Sequence, residues 1–488
     1  MPARPESDLK KLDVIPAAFR PALPGAALSF AKKFGIGVCL MLVLAWEALG
    51  QTPEGAIPAQ NAASSSGTSV ELSLKQAVDL ALAPDGNARV QLAEEFVRQA
   101  AARSAQSRAA LLPNLDGSLM QENRTVNLAA LGIQIKLPIP GFVSPELVGP
   151  FNTFDARASA SQTIFDFSSI RRFQASRTSL RSTKTESEST QDQVAAQVAK
   201  TYLAALRTQA RLEASQANVE LAESILKLAL NQKEAGTGTG IDITRARVQL
   251  ANERQQLLID ENGHHEQQLQ LLRAIGLRLD GGVKLIDTLS IPSIEPITVE
   301  EAVRLGLEAR ADYLAQQQRE DSARLSYSAA KWARLPSVAG FADYGSIGSS
   351  INNAIPTHTY GVSLKLPAFD GGGRDARRAE SMSQFHQEQI RTKDLREQIQ
   401  LEVRLALDRL HSSEQQVKIA ADGLELAQAE LAQAQRRYTS GVANSLEVTD
   451  AQTRLERARD NQILARFSFS VARVELGEAM GTVRHMIQ

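Results

Sequence analysis

The sequence predicts a mostly helical protein with a small β part, in which one structural unit is written twice along the chain. Three observations carry this: an internal repeat, two very long helical patterns free of proline, and short alternating segments set between helices in each copy.

Ser73-Leu74-Lys75-Gln76-Ala77-Val78 recurs as Thr298-Val299-Glu300-Glu301-Ala302-Val303. Leu112-Pro113 recurs as Leu335-Pro336, and Phe165-Asp166 as Phe369-Asp370. Gly236 pairs with Gly441, Asp242 with Glu447, Leu250 with Leu455 and Gly276 with Gly481, all 205 residues apart. The first pairs sit 225 and 223 apart, so the first copy carries an insertion between about 127 and 153. The expected division is a first repeat over 73–282 and a second over 298–481. Linking segments at 51–72 and 283–297 and a tail at 482–488 complete it.

Each copy runs helix, proline-marked break, two strands, very long helix, glycine turn and return helix. The long helices are expected over roughly 168–235 and 374–438. At 1.5 Å per residue, about 65 residues make a rod of roughly 100 Å. Val194, Val198, Tyr202 and Leu206 form a narrow apolar stripe, which suits helices packed side by side in a wall. The turns fall near 236–241 and 439–445.

Strands are expected near 115–125, 154–165, 337–346 and 358–368. Ala156, Ala158, Ala160 and Ile164 share one face, opposite Asp155, Arg157, Ser159, Ser161 and Thr163. In the second copy Tyr360, Val362, Leu364 and Leu366 oppose Thr359, Ser363 and Lys365. A lipid-facing, water-lined barrel needs one apolar and one polar face, although a soluble sandwich alternates too. Four strands cannot close a barrel and open edges are not tolerated in lipid, so a barrel reading demands oligomerisation. Phe142, Phe151, Phe154, Phe341 and Tyr344 suit either interfacial girdles or the packing of outer loops. The proline-rich insertion at 131–150 reads as a surface loop.

Residues 1–50 read as a cleaved export signal, with Lys32 and Lys33 ahead of a 13-residue apolar run from Phe34 to Trp46. The single cysteine, Cys39, lies inside that run, so disulfides and thiolate metal sites are excluded elsewhere. A net charge of -1 removes the electrostatic case for nucleic acid. His264-His265 lacks a convergent third ligand and reads as a solvated helix face. Gly371-Gly372-Gly373 lacks the Lys-Ser/Thr of a phosphate loop and reads as a kink from strand to helix. No constellation of nucleophile and base stands in a recognisable context, which argues against an enzyme.

The stretch Arg436-Arg437-Tyr438-Thr439-Ser440-Gly441, followed by Leu446-Glu447-Val448-Thr449-Asp450-Ala451, resembles the helix–turn–helix tip of the TolC-like outer-membrane efflux family. Ala235-Gly236 and Ile241-Asp242-Ile243 form a looser copy of it. The resemblance implies a homotrimer with a twelve-stranded barrel in outer-membrane lipid and a twelve-helix tunnel reaching into the periplasm. It implies a passive duct for efflux or type I secretion, met at its tips by a periplasmic adaptor that couples it to an inner-membrane transporter of RND, ABC or MFS type. No cofactor is implied.

By the same resemblance, Tyr438 falls on a gate tyrosine, Glu447 and Asp450 on two acidic ring positions, and Asp242 on the partner of a gate arginine. That arginine's place holds Ala443, which leaves Arg437, Arg436 and Arg245 as candidate replacements. Glu447 and Asp450 also lie i, i+3, on one helix face, so three-fold symmetry would repeat both around an axis and favour cations there. The plainer reading is a pair of acids favoured by the helix dipole. The competing classes are a periplasmic adaptor, which would flank a single hairpin with a β-rich core, and a structural coiled coil, which would need no alternating strands.

Overall fold

A computed structural model of the chain describes residues 70–133, 138, 140, 145–289 and 297–487. The expected export signal at 1–50, Phe142, residues 51–69 of the first linking segment and 290–296 of the one expected at 283–297 lie outside those residues.

The first copy runs through β1 (Val70–Leu72), α1 (Leu74–Leu82), α2 (Ala88–Ala109), β2 (Asn114–Asn127), β3 (Leu147–Phe165), α3 (Phe167–Glu234) and α4 (Gly240–Ile275). The second runs through β4 (Val283–Leu285), α5 (Val299–Ala309), α6 (Ala311–Trp332), β5 (Ser337–Gly348), β6 (Ile355–Lys365), α7 (Gly373–Thr439) and α8 (Ser445–Ala479), closing with α9 (Val483–Ile487). The repeated Ser73 and Thr298 are the N-caps of α1 and α5, each accepting a hydrogen bond from the backbone three residues on. The 68 residues of α3 contain neither proline nor glycine, so nothing interrupts its hydrogen-bond ladder.

The two copies leave their strands differently. Asp166 caps α3 directly, its Oδ1 accepting from the Ser168 amide at 3.0 Å. Its counterpart Asp370 does not cap α7. It pairs instead with Arg374 at 3.1 Å, while the chain turns through Gly371 and Gly372 at φ +65° and +88°. β6 stops at Lys365, short of the expected 368. In the other direction β3 begins at Leu147, so part of the expected surface loop is strand.

The four long strands form one antiparallel sheet in the order β2-β3-β5-β6. Its register, with Leu115 opposite Ala160, Ala158 opposite Tyr344 and Ala342 opposite Tyr360, puts these side chains on one face. Leu115, Leu119, Tyr344, Tyr360, Val362 and Leu364 on that face are each more than half exposed. On the other face Arg157 bridges Asp155, Asp343 and Thr357, a cluster spanning β3, β5 and β6. Phe341 belongs to this polar face, where its ring fills the space over Gly361, which removes it from any lipid girdle. Among the described residues, no helix is long and apolar enough to cross a membrane.

Packing changes along the helices. Near the sheet, α3 meets α6 through small polar residues: Ser182 donates to the Ala315 carbonyl at 2.8 Å and Ser322 to the Ala175 carbonyl at 3.0 Å. Midway, Val194, Val198, Tyr202 and Leu206 are buried, as the stripe predicts, with Leu72, Val90, Leu271, Ile275 and Leu285 around them. The matching core of the second copy gathers Ile399, Val403 and Phe469. Strands β1 and β4 pair in parallel over the first of these cores.

Tyr202 fastens this β1–β4 belt. Its hydroxyl lies 2.9 Å from both the Leu72 carbonyl and Asp287 Oδ2, and the same carboxylate accepts from the Leu74 amide at 2.7 Å. Burial, with Asp287 adding to it, pushes the phenol well above its ordinary range, so the hydroxyl stays a donor. Tyr202→Phe should therefore cost about 1–2 kcal/mol at the belt. Faster amide exchange in β1 and β4, with the tips unchanged, is the expected reading.

Candidate functional site at the hairpin tips

Both long helices end in the same turn. Gly236 and Gly441 stand just past α3 and α7 with φ of +78° and +73°, a left-handed conformation that lets the chain reverse where a β-carbon would be strained. The return helices then open on capping residues, Thr239 for α4 and Asn444 for α8. Asp242 and Glu447 therefore occupy the same third position of their helices, but they are used differently.

Asp242 Oδ2 accepts from the Thr239 amide at 3.1 Å and from its hydroxyl at 2.5 Å. Its other oxygen accepts from the Ser445 hydroxyl, at the first position of α8, which ties one tip to the other. Burial alone would raise the Asp242 pKa, but the bonds from Ser445 and Thr239 and the charge of Arg245 outweigh it and hold the carboxyl below its ordinary range. Glu447 turns to its own hairpin, 3.0 Å from Arg437 Nε. Asp450 is exposed and takes part in no ion pair among the described residues. Of the three candidate arginines, Arg245 acts on Asp242 through its charge and Arg437 is taken by Glu447. Arg436 lies in the last turn of α7, its carbonyl accepting from the Ser440 amide at 3.1 Å.

Tyr438 is buried among Leu431, Ala434, Val448 and Leu455, with Leu221, Ile225 and Leu228 of α3 alongside. Burial, then the nearby Asp242 charge, raises its pKa, and its hydroxyl finds no partner among the described residues. Gln232 donates to the Tyr438 carbonyl at 3.2 Å, a second link between hairpins. Ser445, Thr239 and Gln232 carry much of this site; of these only Thr239, which caps its helix 205 residues before Asn444 caps the other, was signalled by the repeat. His264 departs from the expected solvated face: it is half-buried, with Gln268 at 3.0 Å, and burial lowers its pKa.

A profile of the outer membrane efflux protein family matches residues 77–277 and 303–482, the two copies of the repeat. The chain belongs to the outer membrane efflux protein family. It is 26% identical over 395 residues to the pyoverdine export outer membrane protein OpmQ of Pseudomonas putida, which covers 79% of this chain and 81% of that protein. The toluene efflux pump outer membrane protein TtgF of Pseudomonas putida is 26% identical over 302 residues, or 59% of this chain and 60% of that one. Among solved structures, the channel CusC superposes with a TM-score of 0.72 at 17% identity, over 84% of this chain and 92% of its own.

The protein is thus an outer-membrane efflux duct that extends into the periplasm, with the family and fold of channel proteins. Such channels are trimers that work with an adaptor and an inner-membrane pump.

The link between the tips has a definite pH dependence. A carboxyl whose pKa is depressed in the linked state stabilises that state above its ordinary pKa and ceases to do so as pH falls through the lowered value. Ser445→Ala should raise amide exchange in 239–246 and 445–451 by roughly three- to tenfold at neutral pH. In acid the variant and the parent should converge, which exchange measurements on tip peptides would establish.

Proposed function

We propose that three copies of this chain close a twelve-stranded barrel, and that Asp242, Tyr438, Glu447 and Asp450, with the turn residues Gly236, Gly441, Arg245, Arg436 and Arg437, form its periplasmic entrance. The duct is passive and carries no catalytic step. An adaptor docks at the tips and hands over cargo from an inner-membrane transporter of RND, ABC or MFS type.

The observation that supports this reading is the open sheet with a bare apolar face. Among the described residues strands β2 and β6 have no partner on their outer edges, yet Leu115, Tyr360 and Val362 stand exposed on them. In hydrocarbon each unpaired backbone group costs several kcal/mol, so such a sheet is stable there only when its edges meet other copies. Neighbouring strands of this sheet are all antiparallel, so β6 of one copy runs antiparallel to β2 of the next. Three copies give twelve strands, an even number. The cargoes named for the two relatives, pyoverdine and toluene, differ widely, which suits a duct that leaves selection to its pump.

Negative-stain electron microscopy of the detergent-extracted protein should reveal a trimeric tube well over 100 Å long on these helix lengths; a monomer or a compact particle would sink the reading. Because Glu447 is already paired with Arg437 while Asp450 is exposed, Asp450 should govern ion preference at the entrance. In planar bilayers Asp450→Ala should reduce cation selectivity more than Glu447→Ala does. Equal selectivity in the parent and the double variant would remove the acidic-ring assignment.

A further inference from the structure

Above the tips, the return helices of the two hairpins meet through two acids. Glu253 on α4 lies eleven residues beyond Asp242, about 16 Å along the helix. It is buried, with 6% of its surface exposed, and faces Glu456 on α8. The Gln249 amide joins them, with Nε2 2.5 Å from Glu253 Oε1 and 3.4 Å from Glu456 Oε1. One turn before Glu456 on the same helix, Gln452 is 1% exposed, and its Nε2 has no partner among the described residues.

Among the described residues, no cation forms an ion pair with either acid. On α4, Arg254 is 2.8 Å from Glu223 of α3. On α8, Arg454 pairs with Glu430 of α7, Arg459 donates to Asn218 of α3, and Arg457 is exposed to solvent. Asp260, two turns on along α4, is bound by Arg211 and Ser215 of α3, and Asp460 of α8 adds further negative charge. Glu253 is buried and Glu456 half-buried, and two facing carboxylates so desolvated favour sharing a proton over both being ionised.

We propose that Glu253 and Glu456 share one proton across the seam between α4 and α8, and that this proton latches the two hairpins together above the entrance, making its opening depend on pH. The inference rests on the reading of the tips as the entrance of a duct. Burial, then the hydrogen bond and charge of Glu253, push the Glu456 carboxyl up to about 8, against the opposing bond from Gln249. The sign follows by linkage. The closed seam keeps its proton until about pH 8, whereas a seam opened to water releases it above the ordinary carboxylate range. Between those values each opening sheds one proton, so rising pH favours opening, by at most about tenfold per pH unit. Below that window both states hold the proton and above it neither does, so the dependence flattens at each end.

The test compares the full-length protein with Glu456→Gln, which keeps the shape and a hydrogen-bond donor but cannot ionise. In planar bilayers the open fraction of the parent should climb from mildly acidic to mildly alkaline pH, while Glu456→Gln stays at the parent's acid level throughout. Amide exchange in detergent over 246–260 and 450–462, taken as the ratio of parent to Glu456→Gln at each pH, should rise over the same interval. A ratio independent of pH, or a variant that keeps the parent's slope, overturns the latch. The exchange ratio needs no conductance, so a protein that conducts nothing refutes the duct while exchange still decides the latch.

Discussion

A sheet that ends in lipid with its backbone groups unpaired cannot persist, and most of this molecule answers to that constraint. Among the described residues the chain supplies a four-stranded sheet with one apolar face, and in the proposed assembly closure comes from its own copies. Strands β2 and β3, from the first copy of the repeat, meet β5 and β6 of the second side by side, and the Arg157 cluster on the polar face spans their junction. Duplication therefore sets four strands at one end of the long helices and two helical turns at the other, from one folding unit used twice.

The helices divide their length by chemistry. Near the sheet, serines bonded to facing carbonyls let α3 and α6 pack closely, and a contact built from small residues has little freedom to rearrange. The middle carries the two large apolar cores and the Tyr202 belt. Toward the tips the apolar clusters shrink, and contact between the hairpins passes increasingly to polar groups: Asp242 with Ser445, Gln232 with Tyr438, Gln249 with both glutamates. Polar links respond to protons and to competing water in a way that buried leucines do not. The end of the molecule proposed as the entrance is held by the bonds most easily exchanged.

Much of the fold was legible because each level of the sequence repeats the same message. Capping residues, border dipeptides and turn glycines recur in order, and the stripe Val194-Val198-Tyr202-Leu206 is buried as its spacing requires. What escaped depended on partners distant in sequence. Asp166 and Asp370 look equivalent, yet one caps a helix and the other holds Arg374, because two glycines intervene in the second copy. Phe341 fits a girdle by composition but is turned to the polar face by strand register, which a one-residue shift would reverse. At the tips, the acids Asp242 and Glu447 were readable from their repeat. Their differing partners were not, since Ser445 lies 203 residues from Asp242 and comes beside it only when two hairpins pack.

The uninterrupted length of α3 has a mechanical side. From Tyr202, held in the belt, to Glu234 at the end of α3 the rod runs about 48 Å. A tilt of about five degrees about that fulcrum would carry the far end sideways by roughly 4 Å, more than the span of a hydrogen bond. Such a lever amplifies small changes in how the belt is seated, so substitutions around Tyr202 and Asp287 can alter the aperture without touching a residue that lines it.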